Sequence, residues 1–454
     1  MNHTGILKSM WAGSMLLGTI GLEAAQPANL IIINCDDMGY GDLSCFGNPS
    51  IRTPHLDRMA FEGQKWTDFY VSSSVSSPSR AGLMTGRLGV RTGMYGNQRN
   101  VLFPDSPEGL PEAEVTLPEL LKKAGYHTAC IGKWHLGHTP AYLPLNHGFD
   151  YFYGFPFSND MSKGEQYKLG NRNYPYEYVL YEQKKVIEKE PSQDSLTYKV
   201  TQAAVRYITE HRDNPFFLYL AHPMPHFPVY ASAGFQQTSY GGRYGDTIEE
   251  IDWSVGRVLD TLKAYGLDRN TVVVFTSDNG PWLFYKQEGG SAGPLRAGKG
   301  THYEGGFRVP CIVWGAGVAS GHVTQMGSTL DLLPTFCELA GVELPSDREY
   351  DGVSLLPVWK DSSAASPRKL FFYYKGSQLM AVRKERYKLH LKEGEPVLYD
   401  LGNDPGEKFN VASQYPEIVV ELTELARKQM SNVKIKESIF DKLPVEHLPQ
   451  CPAE

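Results

Sequence analysis

The chain has 454 residues, 41% of them hydrophobic and 21% charged, which supplies a substantial core and excludes a disordered chain. Its 44 Lys and Arg against 51 Asp and Glu leave a net charge of −7, which excludes a strongly basic nucleic-acid binder. Taken as a whole-chain sum, that charge also argues against an anionic substrate. At about 150 residues per domain, the length allows roughly three units, or one large α/β domain with a smaller companion.

Residues 1–25 read as a secretory signal peptide. Lys8 supplies a positive start, Met10 to Leu22 is apolar or small, and Glu23-Ala24-Ala25-Gln26 offers a small-residue cleavage site. The apolar run is too short to span a bilayer, and no later segment is long and apolar enough for a membrane helix. This predicts a periplasmic or secreted protein. None of the six cysteines (Cys35, Cys45, Cys130, Cys311, Cys337 and Cys451) forms a C-x-x-C pair, so a structural zinc site is not expected. Cys35, Cys130 and Cys311 lie in or beside apolar runs and read as small buried hydrophobes, although an oxidising compartment leaves a bridge open.

Five short apolar runs predict buried parallel strands: Asn29 to Ile33, Thr128 to Ile131, Phe216 to Leu220, Thr271 to Phe275 and Pro310 to Trp314. Helical patterns lie between them. The clearest runs from about Tyr244 to Tyr265, with Ile248, Ile251, Val255, Val258 and Leu262 on one face and Gly266 at its end. This alternation implies a large, mostly parallel sheet covered by helices on both faces. Asn159 to about Lys189 is rich in Tyr, Lys and Asn and reads as a long loop near a pocket. After about residue 345 the pattern changes. Phe371–Tyr374, Leu379–Val382, Tyr387–Leu391 and Val397–Asp400 predict an antiparallel meander, followed by a helix from about Tyr415 to Met430. The expected division is a signal segment (1–25), a large core (26–345) and a smaller α+β domain (346–454).

In α/β sheets, sites form where parallel strands end. The first strand ends in Asp36-Asp37, and the Thr271–Phe275 run is followed by Ser277-Asp278-Asn279-Gly280. Turn chemistry accounts for either group alone. If they converge, three buried carboxylates and an amide form an oxygen-only ligand set suited to a hard divalent cation, which burial without a cation would make too costly. The stretch Ser76-Ser77-Pro78-Ser79-Arg80-Ala81-Gly82-Leu83-Met84-Thr85-Gly86-Arg87 reads as a Ser/Pro loop entering a helix. It is able to cap that helix, hold an anion or present a nucleophilic hydroxyl.

That stretch resembles the signature of the type I, arylsulfatase A-like sulfatases: Cys or Ser, any residue, Pro-Ser-Arg, then a downstream Thr-Gly-Arg. A second signature is present as Gly132-Lys133-Trp134-His135-Leu136-Gly137. Asp36-Asp37-Met38-Gly39-Tyr40-Gly41-Asp42, Gly298-Lys299-Gly300, Tyr303-Glu304-Gly305-Gly306 and Leu398-Tyr399-Asp400-Leu401 with Asp404-Pro405 and Asn410 match in the same order. The resemblance covers nearly the whole chain after residue 25 and implies an alkaline phosphatase-like fold.

The resemblance also implies roles. Ser76 stands where a maturing enzyme forms formylglycine, whose hydrate is the nucleophile toward sulfur. Asp36, Asp37, Asp278 and Asn279, with Ser76, match a calcium site that polarises the sulfate ester. Arg80 and Lys133 match residues that hold the formylglycine, His135 the histidine that bonds its hydroxyl, and His226 a sulfate-binding histidine and leaving-group acid. Lys299 matches the lysine near the bridging oxygen, and Ser158 a sulfate-pocket serine. His302, with His222 and His138, is a further candidate for the substrate pocket. A sulfate ester carries one negative charge on its sulfate oxygens and must expel a sugar alkoxide, a poor leaving group, so clustered cations and an imidazolium suit the reaction independently of any resemblance. Those cations answer the charge objection, because local field governs recognition of a small anion. The acidic total then favours chain ends or short sulfated oligosaccharides over long polyanions.

Many family members carry Cys where this chain has Ser76. Serine fits the bacterial serine-type branch, matured without oxygen, and equally fits an engineered replacement. The expected activity is removal of O-sulfate from sulfated carbohydrates, such as galactose or N-acetylgalactosamine sulfates. The alternatives are a phosphodiesterase or phosphonate monoester hydrolase of the same superfamily, and a glycan-binding pseudoenzyme with unmodified Ser76. The oligomeric state is open.

Overall fold

The computed structural model describes residues 27–168 and 176–442, together with Met1. The expected signal segment and Cys451 lie outside the described residues. Eleven strands form one mixed sheet: β1 (Asn29–Cys35), β2 (Gln64–Tyr70), β3 (His127–Lys133), β4 (Tyr151–Phe155), β5 (Val179–Glu182), β6 (Lys185–Lys189), β7 (Phe216–Ala221), β8 (Thr271–Ser277), β9 (Arg308–Gly315), β10 (Gly321–Val323) and β11 (Gly327–Ser328). The order is β10-β2-β9-β8-β1-β7-β3-β4-β5-β6, with β11 beside β2.

The apolar runs become central strands because both their faces are covered. Leu30 and Ile32 pack toward one helical layer, α2 (Ser76–Thr85), α3 (Leu117–Lys123) and α6 (Leu332–Ala340). Ile31 and Ile33 face the other layer, α1 (Pro54–Glu62), α4 (Leu196–Glu210) and α5 (Gly242–Ala264). In α5 the predicted stripe of Ile248, Ile251, Val255, Val258 and Leu262 is buried, and Gly266 takes the left-handed backbone (φ 68°) just past the helix. Helices on both faces make this an α/β/α sandwich.

Two expectations are corrected. The Pro310–Trp314 run lies in β9, which is antiparallel to both β8 and β2. A continuous apolar run reports burial on both faces and is blind to strand direction. Residues Asn159–Lys189 also do not form one long loop: Asn159–Met161 is a 3-10 turn and Lys163–Lys168 a helical turn, while β5 and β6 form a hairpin extending the sheet from β4. Along β6 the residues alternate between exposed and half-buried, the pattern of a one-sided edge strand that the charged side chains obscured. The cysteines Cys35, Cys45, Cys130, Cys311 and Cys337 are unpaired.

The predicted meander is a four-stranded antiparallel sheet, β12 (Leu370–Lys375), β13 (Gln378–Lys384), β14 (Tyr387–His390) and β15 (Val397–Asp400), with α7 (Pro416–Asn432) packed on it. It meets the large sheet through rings and charges. Phe371 and Tyr373 pack on Tyr70 at 4.9 and 6.0 Å, and Arg383 bonds the Tyr70 hydroxyl and Asp68. Beneath them Lys388 bridges Glu304 (3.0 Å) and Glu407 (2.9 Å), all three fully buried. His390 bonds the same Glu407 at 2.8 Å.

Burial by itself would raise the Glu304 carboxyl, but Lys388, Arg383 and Arg308 overcome it and hold the group at about 2, below its ordinary 4.5. A depressed carboxyl contributes stability that is complete above about pH 4.5 and lost as pH falls toward 2. Urea midpoints should therefore fall across that window, and Glu304→Gln should shallow the fall. An unchanged slope in the variant would remove Glu304 from the acid response.

Candidate active site

Strands β1, β3, β4, β7 and β8 are mutually parallel, so their C-terminal ends share one edge of the sheet. Asp36 and Asp37 follow β1, Lys133 closes β3, Ser158 follows β4, His226 follows β7, and Asp278 and Asn279 follow β8. Because β9 runs antiparallel to β8, the segment preceding it lies at this same edge and delivers Lys299. The Lys299 amide donates to the Pro281 carbonyl and the Gly300 amide to the Ser74 carbonyl, both at 2.9 Å, tying that segment to the loops on either side.

Ser76 is the first residue of α2 and is buried. Its hydroxyl donates to Asp278 Oδ2 at 2.6 Å and lies 3.1 Å from Asp36 Oδ1 and 3.5 Å from Asn279 Oδ1. One helical turn on, Arg80 donates from Nε to Asp278 Oδ2 at 2.8 Å and approaches Asp36 at 3.4 Å. Its Nη1 donates to the Lys133 carbonyl (3.0 Å) and the Tyr219 hydroxyl (3.4 Å). Lys133 Nζ bonds Asp36 and stands 3.2 Å from the Ser158 hydroxyl. Across the cluster, Lys299 pairs with Asp37 at 2.7 Å, and the Asn279 amide donates to Asp37 at 2.7 Å. His226 Nε2 lies 3.5 Å from Asp37, with its Nδ1 against the Phe227 carbonyl.

Carboxylate oxygens of Asp36, Asp37 and Asp278 all lie within 4.8 Å of one another and are buried. With the Asn279 carbonyl oxygen nearby, this oxygen-only set fits a hard divalent cation. Three carboxylates against Arg80, Lys133 and Lys299 leave the cluster itself neutral, so a divalent cation would give it the net positive charge that an anionic ester requires.

Charge sets the protonation of these groups. Burial would raise the Asp36 carboxyl, but Lys133, His226 and Arg80 prevail and hold it at about 2. Burial, then Lys133, press His135 well below its ordinary value, so it is neutral. Its Nε2 meets the Leu102 carbonyl at 2.9 Å and therefore carries the proton. Its buried Nδ1 has no hydrogen-bond partner among the described residues and is left as an acceptor. His135 itself sits at φ 59°, a left-handed backbone that points to local constraint.

The structure thus brings together Asp36, Asp37, Ser76, Arg80, Lys133, Ser158, His226, Asp278, Asn279 and Lys299, with His135 close enough to feel Lys133, Arg80 and His226. His302 stands apart. Its ring stacks on Tyr303 (4.8 Å) and meets His390 (5.2 Å), and its carbonyl accepts from Lys388, so it belongs to the contact with the smaller sheet. His222 bonds Ser254 inside the core, and His138 packs edge-on to Phe157. Sequence reasoning missed Tyr219 behind Arg80, Asp160 at 4.0 Å from His226, and Trp282, whose ring lies under Lys299 at 4.3 Å. Asp160 was legible only as the end of the Ser158-Asn159-Asp160 run, and Trp282 only as the third residue past Asn279.

A buried hydroxyl held between carboxylates and ringed by two lysines, an arginine and two histidines defines an α/β enzyme for esters of small anions. The Sulfatase family matches residues 28–342, and the family described as N-sulphoglucosamine sulphohydrolase, C-terminal, matches residues 298–434. The chain belongs to the sulfatase family and is a sulfatase. It is 40% identical to the N-acetylgalactosamine-6-sulfatase of Mus musculus, over 92% of this chain and 89% of that protein. Identity to the arylsulfatase A of Homo sapiens is 38%, over 91% and 90%. Among solved structures, Ps i-CgsB in complex with k-i-k-neocarrahexaose superposes with a TM-score of 0.78 at 30% identity, covering 89% of this chain and 93% of that one. The PsFucS1 sulfatase from Pseudoalteromonas sp. superposes with a TM-score of 0.81 at 27% identity, covering 90% and 92%. These neighbours share the alkaline phosphatase-like fold. No helix among the described residues is long and apolar enough to cross a membrane.

Proposed function

We propose that this enzyme removes O-sulfate from carbohydrates, with a galactose or N-acetylgalactosamine sulfate as the preferred ester, and that Ser76 acts after conversion to formylglycine beside a bound calcium ion. The observation that carries this reading is the position of the Ser76 hydroxyl, 2.6 Å from Asp278 and 3.1 Å from Asp36, in the carboxylate cluster on which Lys133, Lys299 and His226 also converge. The names of the mammalian relatives and of the neighbour in complex with k-i-k-neocarrahexaose support a sugar as the leaving group.

Asp36, Asp37, Asp278 and Asn279 would hold the calcium, which would supply Lewis-acid polarisation of the sulfate and of the hydroxyl at position 76. A formylglycine hydrate would supply one hydroxyl as nucleophile and a second through which sulfate is released. The remaining chemistry belongs to the side chains present. Lys133 and Lys299 bind the sulfate oxygens and stabilise charge as it moves toward the leaving oxygen. His226, when protonated, donates to the departing sugar oxygen. His135 Nδ1 accepts a proton from the hydroxyl at position 76. Arg80 fixes Asp278 and Asp36 so that neither carboxylate turns toward the anion. We also place the enzyme outside the cytoplasm, on the apolar 10–22 run and its small-residue cleavage site, and in a bacterial serine-type branch, on serine at position 76.

Sulfate release from a panel of mono-sulfated monosaccharides and glycosaminoglycan disaccharides, with an aryl sulfate and a phosphodiester alongside, tests this reading. Peptide mass is recorded in parallel, since the aldehyde form of residue 76 is two hydrogens lighter than serine. Modified protein that releases sulfate from none of the sugars would refute the carbohydrate assignment. A chelator should cut turnover by about 100-fold or more and lower Tm by a few degrees, both restored by added calcium. Full activity after exhaustive chelation would remove the cation from the reaction.

A further inference from the structure

The loop that leaves the metal-type ligands carries an unexplained wall of apolar side chains. After Asp278-Asn279-Gly280-Pro281 the chain places Trp282, Leu283, Phe284 and Tyr285 in a row. Trp282 touches both side chains proposed to serve the leaving oxygen: Lys299 Nζ lies 4.3 Å from its ring centre, and the His226 ring 5.3 Å. Tyr285 stands perpendicular to Trp282 at 4.7 Å, Phe227 stacks on Tyr285 at 3.5 Å, and Phe284 meets Tyr285 edge-on at 5.3 Å. The wall therefore runs unbroken from the catalytic cations outward to solvent, where Phe284 is 70% exposed and Leu283 39%. Holding it takes effort: Lys286, in the same turn, sits at φ 51°, a conformation unfavourable for a residue with a side chain. An exposed ring on a strained turn adds nothing to the core, and apolar surface that continues from it to the half-buried Tyr285 and Trp282 marks a contact site.

We infer that Trp282, Tyr285 and Phe284 form the subsite for the sugar ring of the substrate, the leaving group itself, by packing against the C–H face of a hexopyranose. The inference rests on the carbohydrate reading above. A pyranose presents one face of C–H groups and an edge of hydroxyls. Aromatic rings match the first, and the positive edge of the C–H bonds is drawn to the negative ring face. A sulfate held by Lys133 and Lys299 leaves its ester carbon at the rim, beside Trp282, so the ring that follows must lie along this wall or turn from it. Trp282 is a specificity-determining contact in this assignment, and its packing against Lys299 makes it a positioning residue too.

Two variants separate these roles. Trp282→Leu keeps apolar bulk and removes the ring that lies on Lys299, while Tyr285→Ala removes a ring that packs on Trp282. Each should raise KM for a sulfated hexopyranose about 10-fold or more and weaken its calorimetric binding to Ser76→Ala protein equally. In Tyr285→Ala, inhibition by inorganic sulfate should change less than about twofold; Trp282→Leu, which also loosens Lys299, should weaken it, and Trp282→Phe should recover most of that loss. Phe284→Ala, at an exposed site, supplies a variant certain to fold and should raise KM about threefold. KM unchanged in all three, or KM and the sulfate inhibition constant rising by the same factor in Tyr285→Ala, would overturn the subsite. Failure of the underlying reading looks different: wild-type protein would then release no sulfate from any sugar before a variant is made.

Discussion

Ser76→Ala is expected to lower kcat/KM for sulfate release by at least about 10⁴-fold while the protein still folds. The substitution removes one buried hydroxyl and its bonds to Asp278 and Asp36, at 2.6 and 3.1 Å. Both carboxylates keep their other partners, Arg80 and Lys133, so no buried charge is left alone. The stability cost is that of a lost hydrogen bond, about 1–2 kcal/mol. On the proposed mechanism the loss of activity is far larger, because the hydroxyl that would become the nucleophile is gone. Sulfate release by ion chromatography and a urea melt measure the two quantities together. A variant retaining more than about 1% of wild-type turnover would mean that the nucleophile lies elsewhere. Ser76→Cys adds a second reading, since a cysteine at this position depends on the maturing enzyme of the host, and peptide mass reports whether the aldehyde forms.

Lys388→Met should be the most destabilising single change away from the catalytic edge, by about 3–5 kcal/mol. The ammonium is fully buried and divides itself between Glu304, Glu407 and the His302 carbonyl, at 3.0, 2.9 and 3.0 Å. Methionine fills the volume and leaves two buried carboxylates facing each other. Glu407 also accepts from the Glu304 amide at 2.8 Å, and its own carbonyl accepts from Arg296 at 2.9 Å. The same cluster therefore grips both ends of the segment that carries Lys299, and kcat should fall about 10-fold in protein that remains folded. Adding Glu304→Gln to Lys388→Met removes one of the stranded charges and should recover part of the stability, a coupling that a double-mutant cycle reads directly. A Lys388→Met protein within about 1 kcal/mol of wild type would show that the carboxylates find other partners.

The alternation of buried strands with amphipathic helices was legible in the sequence because burial on two faces and a 3.6-residue stripe are both local patterns. The site residues were legible for a related reason. Asp36-Asp37, Ser76 to Arg80, Lys133 to His135 and Asp278-Asn279 are short runs, each with its chemistry complete in a few neighbours. Strand direction, partner choice and the far ends of long side chains are not local. An apolar run such as Pro310–Trp314 packs equally well in either direction, so only the completed sheet shows β9 antiparallel, and only that reversal brings Lys299 to the edge that carries Asp37. His302 had the right neighbours in sequence, yet aromatic stacking on Tyr303 and His390 draws it to the smaller sheet. The sequence alone determined which chemical groups the protein owns and that they sit where strands end. Tertiary structure decided which of them meet, because five parallel strands closing on one edge gather carboxylates and cations that no spacing along the chain relates.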